Sequence, residues 1–97
     1  MSKIDEETGI ATRSAIIQGL AEAEGLDVTV IELEIDQSGG DANFHIDSKL
    51  AEVVIAFVEV LYGCELPSPA DLKRDQYATL EAIVNLVSPA IPLRLDV

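Results

Sequence analysis

The chain has 97 residues, 6 basic against 18 acidic, with a formal net charge of −12 and a sequence pI near 4.1. That length makes one domain with a modest core and little room for a deep cleft. The acidic field repels nucleic acid and anionic membrane and steers the protein toward basic partner surfaces, so nucleic-acid binding is disfavoured.

Hydrophobic content of 48% excludes wholesale disorder. The aromatics are Phe44, Phe57, Tyr62 and Tyr77, which leaves the core to Leu, Ile, Val and Ala. Cys64 is the one cysteine, so no intramolecular disulfide forms. Met1 to Glu7 is charged and lacks the apolar stretch of a secretory signal, and no segment is long and apolar enough to span a bilayer. The expectation is a single cytoplasmic domain over 1–97, with its core over about 6–88 and a tail at 89–97.

Residues 1–7 are polar and expected to fray. A first helix is predicted from about Glu6 to Glu24, with Ile10, Ile17 and Leu20 on one stripe and Ile16 beside it. Gly25 then Leu26 reads as a glycine stop. The segment Ile31-Glu32-Leu33-Glu34-Ile35-Asp36 alternates as a strand would, yet nothing else in the chain offers a partner strand. It is therefore predicted as part of a long extended connection, dropping Val30, Leu33 and Ile35 onto the helices. Gly39-Gly40 marks a flexible turn.

The best helical pattern runs from Ser48 to Tyr62 and stops at Gly63. At about 100° per residue, Leu50, Val54, Phe57 and Leu61 gather on one face, with Ser48, Glu52 and Glu59 roughly opposite. Ser68 then caps a short helix opened by Pro69 and holding Leu72. A last helix from about Tyr77 to Val87 turns Tyr77, Leu80, Ile83, Val84 and Val87 inward and ends at Ser88-Pro89. The fold class is all-α, a four-helix bundle of three longer helices and one short. A long loop joins the first two helices.

Several constellations fail on their own chemistry. The many carboxylates spread over polar faces, without the pocket an acid–base pair requires. Asp36, Ser38, Gly40, Asp41 and Asp47 fall where a calcium loop needs three ligands, its turn glycine and a final bidentate Glu, but the glycine is misplaced and the last ligand is too short. Cys64 and His45 are too few for zinc. They are also too far apart for a nucleophile and its base, because a whole helix of ~20–25 Å separates them.

Asp47-Ser48 is the most informative pair. It places a small hydroxyl on the solvent side of a helix N-terminus, where unpaired N–H groups and a partial positive charge tolerate a phosphate ester. An ordinary N-cap has the same appearance. What separates the two readings is the order of features along the rest of the chain.

That order resembles the acyl/peptidyl carrier protein family, whose members are small acidic four-helix bundles. In the family a serine opening the second helix receives 4′-phosphopantetheine from coenzyme A, within a core of hydrophobic-Gly-any-Asp-Ser-Leu. Here the core reads Phe44-His45-Ile46-Asp47-Ser48-Lys49, with His45 in place of the glycine and Lys49 in place of the leucine. Tyr62-Gly63-Cys64-Glu65-Leu66-Pro67 resembles the family's helix end and acidic-hydrophobic-Pro step, and Tyr77 to Val87 its final helix. The resemblance covers roughly residues 10–88.

The resemblance implies a non-catalytic monomer, itself a substrate for other enzymes. It would carry an acyl, aminoacyl or polyketide thioester on a 4′-phosphopantetheine arm at Ser48. Asp47 would cap the helix and position the serine, and Lys49, Glu52 and Glu59 would line the docking face. The implied partners are a phosphopantetheinyl transferase, an acyl-loading ligase or acyltransferase, and synthase or tailoring enzymes with basic docking surfaces. With only Glu52 and Glu59 charged over 50–60, the helix is less acidic than in typical fatty-acid carriers. This points to specialised rather than housekeeping biosynthesis. The altered Gly and Leu positions keep a second reading open, an unmodified carrier-like helical adaptor; a small enzyme has no supporting constellation.

Overall fold

Four α-helices form in the computed structural model, which describes residues 2–90: α1 (Ser2–Glu24), α2 (Val28–Ser38), α3 (Ser48–Tyr62) and α4 (Leu80–Val87). Short 3-10 turns at Asp41–Asn43, Pro69–Asp71, Arg74–Gln76 and Ser88–Ala90 join or extend them. Among the described residues there is no β-strand, and no helix is long and apolar enough to cross a membrane. The sequence 91–97, most of the expected tail, lies outside the described residues.

The chain is a small helical bundle built around α1, which packs against α2, α3 and α4. Its contact with α3 is the most extensive, and small residues make that possible. Thr12, Ala15 and Gly19 lie on one stripe of α1, and at Gly19 an added Cβ would stand 3.1 Å from Phe57 Cδ2. Ile16, Ile17 and Leu20 fill the flanks of the stripe and join Val54, Ile55, Val58, Leu80, Ile83 and Val87 in one core. Thr12 is fully buried there, with its Oγ1 unpartnered. Burial of a hydroxyl without a hydrogen bond costs stability.

Several expectations need correction. Residues 28–36 are helical, not an extended loop, because Ile31 and Ile35 stand one turn apart and both bury against the core. Ile31 and Ile35, four apart, share a face in a strand and in a helix alike, whereas Leu33 joins them only in a strand, and burial of the isoleucines with Leu33 left exposed goes with the helix. Val30 and Leu33 face outward instead of onto the helices. The long loop thus contracts to the segment after Gly39-Gly40. α1 begins at Ser2, earlier than the expected Glu6. Ile10 is exposed rather than on the core stripe.

The inward face of α3 is also rotated from the expected one. Ala51, Val54, Ile55 and Val58 are buried, Leu50 and Phe57 are half-buried, and Leu61 is exposed. Apolar residues surround this helix, so the charges alone could not orient it. Ala51 is fully buried, and Glu59 turns toward the following loop, where it accepts from Leu66 N–H.

The remaining boundaries follow local chemistry. The helix end at Gly63 is as expected, with φ 65 in the left-handed region that glycine adopts without strain. Ser68 accepts from Ala70 N–H at 3.3 Å and opens one 3-10 turn, with Leu72 just beyond it. α4 begins at Leu80 rather than Tyr77, because Thr79 Oγ1 accepts from Ala82 N–H at 3.1 Å and sets the start. Tyr77 is buried all the same.

Candidate functional site

The first turn of α3 is set from both sides of Asp47. Its carboxylate accepts from Leu50 N–H at 2.8 Å, and its carbonyl accepts from Ala51 N–H at 2.9 Å. The side-chain bond occupies one of the donors that every helix start leaves over. Ser48 is the first helical residue and is exposed, as is Lys49. The Ser48 and Lys49 amides have no intrahelical acceptor, so the positive end of the helix faces solvent beside the serine hydroxyl.

The approach to Ser48 is held by a pairing that the sequence did not disclose. Ile46 N–H donates to Ala78 O at 2.7 Å, and Leu80 N–H donates to Phe44 O at 3.0 Å, so His45 and Thr79 form an isolated antiparallel bridge. Ile46 is buried, and the exposed His45 shares a face of the bridge with Thr79. Since α4 starts one residue after Thr79, the N-termini of α3 and α4 are brought to the same place. The available signal was Phe44-His45-Ile46 set against Ala78-Thr79-Leu80, apolar-polar-apolar or small-polar-apolar in each. Three residues are too short a run for period two to be read.

A second fastening lies upstream. Arg13 of α1 grips Asp41 through two parallel bonds, Nε to Oδ2 at 2.8 Å and Nη2 to Oδ1 at 3.0 Å. The guanidinium is held above its ordinary pKa, chiefly by this hydrogen bond, against a smaller lowering by burial. The segment 41–47 is therefore tied to α1 at one end and to the start of α4 at the other.

The other expected site residues separate. Glu52 is exposed on α3. Glu59 is half-buried, and its Oε2 accepts from Leu66 N–H at 2.7 Å, which fixes the turn after α3. Cys64 lies just past Gly63, at the opposite end of α3 from His45. Asp36 belongs to α2 rather than to a loop, and among the described residues no three His, Cys, Asp or Glu side chains gather as a metal site. A shallow groove runs along α4 past Gln76, Thr79, Ala82 and Asn85. No family model, no curated protein and no solved structure matches this chain.

Proposed function

We propose that this chain is a carrier protein, modified at Ser48 with 4′-phosphopantetheine and holding an acyl, aminoacyl or polyketide intermediate for other enzymes. One observation carries the reading. An exposed serine occupies the first position of a long helix, capped by Asp47 and preceded by a loop fastened at two points.

The residues present fit a phosphodiester. Ser48 offers an accessible hydroxyl, and the Ser48 and Lys49 amides leave unpaired donors next to it. Lys49 adds a cation that can meet the phosphate or a partner carboxylate. When bound, the group supplies a thiol on a flexible arm, on which cargo is held as a thioester. Asp47 fixes the first turn, so the hydroxyl is presented in one orientation to the transferase. The −12 charge favours quick, weak encounters with loading and tailoring enzymes that present basic surfaces, as a shuttle requires. The low acidity of α3 favours a dedicated partner set in specialised biosynthesis.

Two departures support the adaptor reading instead. With α2 present, Ser48 opens the third α-helix where the family's serine opens the second. His45 and Lys49 also stand at the family's Gly and Leu positions. The readings separate when the purified protein is incubated with coenzyme A and a broad-specificity phosphopantetheinyl transferase and its intact mass recorded. A carrier gains one phosphopantetheine, and Ser48→Ala gains none. A folded protein that gains nothing is either the adaptor or a carrier served only by a dedicated transferase, with His45 and Lys49 as the residues that bar the broad-specificity one.

A further inference from the structure

The seam between α1 and α2 is open on its outer side. A groove past Ile10 and Val28 meets a second groove past Leu33 and Asp36, and Arg13 and Glu32 line both, so the two form one trough. Ile10 is 65% exposed and Leu33 55%, which places one large, uncovered apolar side chain in each groove. At about 100° per residue, Leu33 stands opposite the buried Ile31 and Ile35, with Glu32 and Asp36 along one edge of α2 and Glu34 along the other.

The charges on α2 are arranged against the helix itself. α2 has no acid in its first turn and no base in its last, where Asp36 meets the negative end of the helix dipole. Glu32 and Asp36 are four apart, a spacing at which like charges repel. From Ser14 to Ser48 the chain holds no Lys or Arg. The cation in the trough, Arg13, is already taken by Asp41. Among the described residues, Glu32, Glu34 and Asp36 make no ion pair.

These features choose the occupant. A second copy would lay acid on acid, and an anionic membrane is repelled for the same reason. A trough between two packed helices takes a third helix, whose apolar ridge would meet Ile10 and Leu33. Its flanks must be cationic to relieve Glu32 and Asp36. We propose that the α1–α2 trough, through Ile10, Glu32, Leu33 and Asp36, binds a lysine- or arginine-rich amphipathic helix of a partner protein. The proposal goes beyond the carrier reading and holds whether or not Ser48 is modified. Binding removes the repulsion within α2, so the helix that is loosely held in the free chain becomes ordered by its partner.

The test is a heteronuclear NMR titration of the full chain with two amidated peptides. One is a leucine/lysine amphipathic helix of about 14 residues, roughly 21 Å long; the other has every leucine replaced by serine. The leucine peptide should shift resonances at 10–18 and 28–41 and slow amide exchange over 28–38. The serine peptide should act diffusely over the acidic surface. Leu33→Ser, at an exposed position and checked for folding by circular dichroism, should weaken the leucine peptide ~10-fold. Asp36→Asn should slow exchange of α2 in the free protein and yet weaken the peptide ~3-fold at low salt, a pairing that a merely structural role would not produce. Val60→Ser, on α3, should bind as the natural chain does. Shifts confined to 49–61, equal and diffuse effects from both peptides, or full affinity in Leu33→Ser and Asp36→Asn would each overturn the proposal. So would concentration-dependent shifts at 28–36 without peptide, which would make a second copy the occupant.

Discussion

α3 and α2 both lie against α1, yet they are held by different means. α3 buries four residues, and its cap makes a side-chain bond, Asp47 to Leu50 N–H. α2 buries only Ile31 and Ile35, and its N-cap Asp27 makes no such bond, its carboxylate instead accepting from Thr29 Oγ1 at 2.9 Å. The helix that presents Ser48 is thus built into the core, while α2 is fastened at two side chains and at the turn that follows it. A rigid platform and a looser neighbour are a sensible division when one serine must be presented in a fixed orientation.

The sharpest way to break this comparison is a matched pair of core truncations. Ile55 on α3 and Ile35 on α2 are each 3% exposed. Ile55→Ala should cost about 4 kcal/mol and lower global stability in urea, whereas Ile35→Ala should cost about 2 kcal/mol. In hydrogen exchange the second variant should lose protection over 28–38 first. Equal costs and uniform loss of protection would show α2 to be as integral as α3.

Thr12 tests the platform from the α1 side. Thr12→Val replaces an unpartnered buried hydroxyl by a methyl of similar shape and should stabilise the protein by about 1 kcal/mol in thermal or urea unfolding. A loss would mean that the hydroxyl has a partner after all.

The caps give the next effect down. Asp47→Ala should cost about 1 kcal/mol, and Asp27→Ala only a few tenths, roughly 0.3 kcal/mol. If the two substitutions cost the same, the cap bond at the serine helix contributes nothing special.

Below the Asp47 cap comes Arg13→Gln, which removes a pair whose side chains are 36% and 33% exposed and should cost about 0.5 kcal/mol, less in high salt. Because the folded pKa of Arg13 is raised, its contribution is fully present below the unfolded value and is lost only as pH rises through the folded one. Stability differences between the natural chain and this variant that track arginine should therefore be flat across the neutral range. A change there would point to another group.

How much of this was legible in the sequence follows from the same contrast. α3 could be read to its last residue, because Asp47 before it and Gly63 after it are strong local signals. Its inward face could not, since a helix with apolar residues nearly all round is oriented only by its neighbours. Region 28–36 was misread because Ile31 and Ile35 fit two periods at once while Leu33 completes the strand-like alternation, and burial in the core is a tertiary fact. At the candidate site, Ser48 and Asp47 were visible as a capped helix start. The bridge of His45 to Thr79 and the grip of Arg13 on Asp41 were not, because each joins residues about thirty positions apart through contacts of one or two side chains or amides.

The central claim is that Ser48 carries a phosphopantetheine. The most direct measurement is peptide mapping by mass spectrometry of the protein isolated from its own cells, reading the fragment that contains Asp47-Ser48-Lys49. The account predicts that this fragment carries the phosphopantetheine or its acylated form. An abundant, folded protein whose Ser48 fragment is found only unmodified, and which also takes up no group from coenzyme A, would contradict it.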